Sequence, residues 1–248
     1  MLHIGKYIGY IFNGAPKILF YSHQGKKYIK EKDKYPIEER YKFVQGKANE
    51  ILNKFLKVKL DVRGLEKLNK DDTYLFIPNH QAMLDAVALF SILEKPVAFV
   101  SKKESRDYPA AGNMQYIADA IFFDRGSPRE AITMIKTCNE LLKNKRDVAI
   151  FAEGTRSKDE NVSIHTYKGG SFKCAYGTGA KIVPVVIDKS YIPLSIKRKN
   201  TDKVIKVSFL DPIEGYEEMN TNDLALKVEN LAKEELEKLR KEEENSKE

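Results

Sequence analysis

His80 and Asp85, five positions apart in Asn79-His80-Gln81-Ala82-Met83-Leu84-Asp85, are the residues of this chain best suited to move a proton. An imidazole, which ordinarily titrates near ~6.5, is a competent general base at neutral pH once a carboxylate fixes its tautomer. The stretch follows an apolar run, Tyr74-Leu75-Phe76-Ile77, closed by Pro78, and leads into Ala-Met-Leu-Asp-Ala-Val-Ala-Leu. If the turn between strand and helix is tight, the first helical turn returns the Asp85 carboxylate to one imidazole nitrogen and leaves the other free to take a proton. Such a pair is half of a catalytic triad. It equally describes a helix N-terminus with a capping histidine, so the pair alone does not decide.

Three further stretches fall where other apolar runs stop. Phe122-Phe123-Asp124-Arg125-Gly126-Ser127 delivers an arginine to the rim of a sheet. In Phe151-Ala152-Glu153-Gly154-Thr155-Arg156-Ser157, Gly154 frees the backbone to approach a ligand and Thr155 and Ser157 offer hydroxyls. Arg156 supplies a planar fork that matches phosphate oxygens. Tyr167-Lys168-Gly169-Gly170 adds a third cation and loose backbone. Taken singly, each arginine is accounted for as a surface ion pair, with Asp124 and Glu153 as neighbours. Taken together, they suggest one bound phosphate.

The elements that would position these residues begin at Val58, where short apolar runs alternate with helical patterns. Strands are expected at 58–62, 74–77, 97–100, 118–123, 148–151, 182–187 and 204–210. Helices are expected at 84–93, at 128–142 with Pro128 in the first turn, and at 172–176. The tail 223–240 carries Leu224, Val228, Leu231, Ala232 and Leu239 near helical spacing, then a solvated Lys/Glu end. This alternation predicts an α/β fold: a mixed, mainly parallel sheet flanked by helices. No internal repeat is present.

With 248 residues, 42% hydrophobic and 32% charged, the chain can bury a proper core. Cys138 and Cys174, far apart and outside any C-x-x-C spacing, argue against a disulfide scaffold or a zinc site and for a reducing, cytoplasmic setting. The formal charge of +7 is uneven: residues 1–60 hold 13 Lys/Arg against 5 Asp/Glu, a net of +8, and the remainder nets 30 − 31 = −1. The same stretch clusters Tyr7, Ile8, Tyr10, Ile11 and Phe12, then Ile18, Leu19, Phe20 and Tyr21. Neither clump approaches the ~20 apolar residues of a membrane span, and no signal-peptide pattern is read. A division follows into a basic, aromatic, helical membrane-docking arm, 1–57, and an α/β domain, 58–248. The arm would lie on an anionic membrane surface at its cytoplasmic face. The competing reading is a basic arm packed on its own domain or binding nucleic acid.

Asn79-His80-x-x-x-x-Asp85, Phe122-Phe123-Asp124-Arg125, Glu153-Gly154-Thr155-Arg156-Ser157 and Val183-Pro184-Val185 resemble, in order and spacing, the four blocks of the glycerolipid acyltransferase family, and within it the 1-acylglycerol-3-phosphate acyltransferases. Lys168 matches the lysine that commonly follows the third block, and Ala152 stands where the family usually has proline. The N-terminal sixty residues resemble in kind the two-helix docking element of some members. The resemblance implies transfer of an acyl group from an acyl-carrier protein or coenzyme A thioester to the free hydroxyl of lysophosphatidic acid, with no metal, no bound cofactor and no nucleic acid. It implies His80 as base, Asp85 as its orienting anion, Arg125, Arg156 and Lys168 on the acceptor phosphate, and Glu153, Gly154 and Thr155 shaping that pocket. Backbone N–H groups near Asn79 or Gly154 are candidates for holding the oxyanion. Two rivals stand beside it: another acceptor, such as glycerol 3-phosphate or a different lysophospholipid, and a serine esterase. Against the esterase, Gly169-Gly170-Ser171-Phe172-Lys173 lacks the last glycine of a nucleophile elbow. A lipid-binding module without catalysis would leave the four blocks unexplained.

Overall fold

The computed structural model describes residues 24–157, 162–194 and 203–245. Seven strands form one sheet: β1 (Lys59–Arg63), β2 (Tyr74–Pro78), β3 (Val97–Lys102), β4 (Ile121–Phe123), β5 (Asp147–Ala149), β6 (Lys181–Asp188) and β7 (Val204–Phe209). Their order is β1-β7-β6-β2-β5-β3-β4, and only the β6–β7 pairing is antiparallel. Five strands therefore run one way, with β1 and β7 reversed at one side. The mixed, mainly parallel sheet expected from the apolar runs is what forms.

Helices cover both faces, which is why the central strands are apolar without alternation. Along β2, Tyr74 and Phe76 join a core with Phe99, Val183, Val185 and Phe209. Leu75 and Ile77 point the other way, to Val148, Ile182 and Val186. The first face is covered by α2 (Ile37–Asn49), which continues as a π-helical stretch (Glu50–Leu56), and by α3 (Leu84–Ile92). The second is covered by α5 (Pro128–Lys143), α6 (Thr221–Asn245) and a 3₁₀ turn (Gly169–Ala175). Two short helices, α1 (Lys26–Lys30) and α4 (Ala111–Ile117), complete the set. None of the described helices is long and apolar enough to cross a membrane.

Most boundaries shift by one or two residues from the sequence expectation, and four differences have a local reason. The strand expected over 118–123 begins only at Ile121: the Ala118 N–H closes the end of α4 on Met114 O at 3.1 Å, and Asp119 takes a left-handed φ of 61°. The strand expected at 148–151 spans Asp147–Ala149, although the Ile150 N–H still reaches Phe76 O at 3.0 Å. Residues 172–176 lie in and just after the tighter Gly169–Ala175 turn, after a Gly-Gly start that disfavours a regular helix. The tail helix runs on to Asn245 because Glu242 and Glu243, expected to fray, pair with Arg63 and Lys189.

The clumps at residues 7–12 and 18–21 lie outside the described residues. The described part of the 1–57 segment is packed on the domain: Tyr41, Val44, Ala48 and Leu52 are buried in the first core. Arg40 donates to both carboxylate oxygens of Asp119 at 2.7 and 2.8 Å and to Ile117 O at 2.6 Å. A cut at residue 57 would remove α2 from the first face of the sheet and leave α3 over it.

Candidate active site

The C-terminal ends of β2 to β6 share one edge, the edge where open α/β sheets bind ligands. His80 follows β2, Arg125 follows β4 and Glu153 follows β5, so three chain-distant stretches meet there.

After Pro78, the Asn79 side chain replaces a strand residue. Its Nδ2 donates to Ile187 O at 3.0 Å and its Oδ1 accepts the Ile187 N–H at 2.7 Å, which fixes the point where the chain leaves the sheet. His80 Nδ1 lies 2.6 Å from Asp85 Oδ2, and the same oxygen accepts the N–H groups of Gln81 at 2.7 Å and Ala82 at 2.9 Å. Asp85 is fully buried. An ionised carboxylate can only accept, so a neutral His80 ring in this bond has its proton on Nδ1 and its lone pair on Nε2. The ring is stacked on Phe151, centroids 4.1 Å apart. Among the described residues, no serine, threonine or cysteine side chain bonds to His80, which leaves the base without a protein nucleophile.

Glu153 acts on the backbone of the site. Its two oxygens accept the N–H groups of His80 at 2.6 Å and His165 at 2.9 Å, and burial raises its carboxyl to about 7 against the opposing pull of those two donors. The Ser157 N–H closes on His80 O at 2.8 Å, tying the third block to the first.

The expected phosphate residues gather on Gly154, whose φ of 72° only glycine adopts freely. Arg125 donates to the Gly154 carbonyl, and a Cβ on Gly154 would sit 2.9 Å from Lys168 Nζ, so the missing side chain makes room for that cation. The Asp124-Arg125-Gly126 turn is built by α5: Ser127 caps the helix, accepting the Glu130 N–H at 3.2 Å, and Glu130 Oε2 accepts the Asp124 N–H at 2.7 Å. Thr155 and Arg156 are exposed, and among the described residues the Arg156 guanidinium has no ion-pair partner. Of the backbone N–H groups in the two stretches expected to hold the oxyanion, that of Asn79 goes to Val185 O at 3.3 Å and that of Gly154 to Phe151 O at 3.0 Å. Strand extension and a tight turn consume them.

Sequence reasoning missed the backbone role of Glu153, the contribution of His165 and the involvement of Gln81, whose Nε2 reaches Asp188 Oδ1 at 3.1 Å. The place of Glu153 directly after the apolar run 148–152 is the only signal of the first.

A mixed α/β sheet thus carries a carboxylate-oriented histidine at its carboxyl edge, beside cations gathered on a glycine turn. The chain belongs to the Acyltransferase family, whose model matches residues 59–188. It is 36% identical to a chloroplastic 1-acyl-sn-glycerol-3-phosphate acyltransferase of Arabidopsis thaliana over 130 residues, 52% of this chain and 36% of that protein. It is 35% identical to the 1-acyl-sn-glycerol-3-phosphate acyltransferase of Saccharomyces cerevisiae over 141 residues, 56% of this chain and 46% of that protein. These matches therefore span less than half of either relative. The crystal structure of the 1-acyl-sn-glycerophosphate (LPA) acyltransferase PlsC from Thermotoga maritima has the same fold, with a TM-score of 0.67 at 21% identity, covering 92% of this chain and 97% of that one.

Proposed function

We propose that this protein transfers a fatty acyl group from an acyl thioester to the free hydroxyl of 1-acylglycerol 3-phosphate, giving phosphatidic acid. The observation that carries the reading is the 2.6 Å bond from His80 Nδ1 to a fully buried Asp85, which leaves Nε2 as a base with no serine or threonine hydroxyl bonded to it among the described residues. The hydroxyl it serves then belongs to the acceptor. As the acceptor oxygen attacks the thioester carbonyl carbon, its proton passes to His80 Nε2. When the tetrahedral intermediate collapses, the C–S bond breaks and the imidazolium returns the proton to the departing thiolate sulfur. Asp85 stabilises the transient imidazolium, and no covalent acyl-enzyme is needed.

Arg125, Lys168 and Arg156 stand around Gly154 as the acceptor's phosphate ligands, and the names of the plant and yeast relatives support lysophosphatidic acid as that acceptor. The thioester is carried by acyl-carrier protein or coenzyme A. The protein works peripherally, at the cytoplasmic face of an anionic membrane.

Purified protein is incubated with lysophosphatidic acid and an acyl thioester. Release of thiol matched mole for mole by phosphatidic acid is the expected result. Thiol release without diacyl product would mean a thioesterase, and product from glycerol 3-phosphate alone would move the acceptor one acylation earlier.

A further inference from the structure

We propose that Asp188 and Arg240 are positioning residues for the His80–Asp85 pair, acting on it through the side chain of Gln81; the proposal rests on the acyltransferase reading of that pair. Asp188 ends β6 and is 1% exposed, so its charge needs partners inside the fold. It has two on one oxygen: Arg240 Nη2 at 3.2 Å, from the last turns of α6, and Gln81 Nε2 at 3.1 Å. Gln81 sits next to the base, and its own N–H is one of the three donors on Asp85 Oδ2. Its Oε1 is buried without a partner, so the amide is oriented through its NH₂ alone. Without the Asp188–Arg240 pair, nothing polar among the described residues holds that side chain.

Arg240 has a second route to the same histidine. Its Nη2 also lies 3.3 Å from Val162 O, at the start of the segment in which the His165 N–H bonds Glu153, the carboxylate that accepts the His80 N–H. One guanidinium thus braces the ring of His80 through Gln81 and Asp85, and its backbone through His165 and Glu153. Arg240 lies outside the matched family region, 59–188, so this brace belongs to the chain's C-terminal helix and not to the shared blocks. The helix does not depend on Arg240 for its seat. Leu236 and Leu239 are buried, Lys206 Nζ donates to Leu239 O at 3.0 Å, and Glu243 pairs with Lys189 and Lys206.

The test uses the full chain with R240Q, R240K, Q81A, the R240Q/Q81A double variant and H80A, assayed with lysophosphatidic acid and an acyl thioester. R240Q should lower kcat about tenfold while both KM values stay within about twofold, because ground-state contacts are untouched and only the geometry of the base is loosened. R240K, which keeps a cation beside Asp188, should recover part of the loss. The double variant should be no slower than the slower single one, since both substitutions break the same path. Wild-type kcat in R240Q, a loss appearing in KM alone, or losses that multiply in the double variant would each overturn the proposal. H80A at wild-type turnover would overturn the acyltransferase reading as well, whereas inactive H80A beside unaffected R240Q overturns this inference alone.

Discussion

Asp85 and Glu153 are two buried carboxyls with different roles: one orients a ring, the other holds a backbone. Replacing Asp85 by Asn keeps the shape but removes the charge and offers the ring an ambiguous partner, so kcat should fall by roughly two to four orders of magnitude, with His80→Ala inactive. Steady-state rates on folded variants measure this. Glu153 makes a prediction about stability. Its carboxyl is raised from an ordinary 4.5 to about 7, so between those pH values the folded state holds a proton that the unfolded state has released. The sign follows: stability from this group is fully present below about pH 4.5, declines as pH rises towards 7 and is gone above it, a change on the order of 3 kcal/mol. At pH 5 folded Glu153 is itself a neutral acid, which a glutamine resembles, so Glu153→Gln should be close to wild type there and more stable than wild type at pH 8, where the wild-type carboxyl has lost its proton. Denaturant unfolding at pH 5 and pH 8 reads both quantities, and parallel curves would refute the raised carboxyl. At the rim, Arg125→Ala and Arg156→Ala should raise the KM for lysophosphatidic acid severalfold more than that for the thioester, with Arg→Lys a partial rescue because an ammonium cannot bind bidentately. Equal effects on both substrates would make these arginines structural.

At the scale of elements, the segment from α1 through α2 is held to the domain by a buried ion pair as well as by apolar packing. Arg40 is the anchor, with Asp119 accepting both of its terminal nitrogens and Lys32 beside it. Arg40→Ala would leave a half-buried carboxylate short of its main partner and the Ile117 carbonyl without a donor. An expected loss of about 2–4 kcal/mol follows, read as a lower denaturation midpoint with an unchanged slope. That anchor also marks the limit of what sequence reading could reach. The central strands were legible because burial on both faces leaves continuous Val/Ile/Phe runs, and α5 because Ser127, Pro128 and Glu130 form a local capping pattern. The His80–Asp85 contact was legible because it closes within one turn. Residues that act across the fold leave no such trace: Arg40 and Asp119 are 79 positions apart, Glu153 and the His80 N–H 73, and Asp188 and Gln81 107. The start of β4 was misread for a different reason: α4 closes through Asp119 N–H to Tyr116 O at 3.2 Å and Ala120 N–H to Gln115 O at 2.9 Å, around a left-handed residue that is not the glycine such a closure usually carries.

For the whole molecule the question is what brings a catalytic edge to an acceptor whose acyl chain sits in a bilayer. Residues 1–23 carry the clustered aromatic and aliphatic side chains but only two lysines, Lys6 and Lys17; the basic surplus lies in 24–57. There the structure shows much of it spent internally, in Lys27–Glu39, Lys32–Asp119, Arg40–Asp119 and Lys47–Glu50 pairs. Lys26, Lys30 and Lys42 have no acidic partner among the described residues and remain for an anionic leaflet, where each contributes up to about 1 kcal/mol, less at high salt. Apolar insertion and charge attraction therefore separate along the chain, and two variants separate them in experiment. Deleting 1–23, which spares the α2 core, should greatly weaken sedimentation with both neutral and anionic vesicles and cut activity on membrane-embedded acceptor more than on a short-chain one. K26E/K30E should weaken binding to anionic vesicles alone, and only at low salt. A 1–23 deletion that still sediments fully would instead place docking on the catalytic edge itself, where Met83 and Tyr108 are each 47% exposed beyond the ends of β2 and β3.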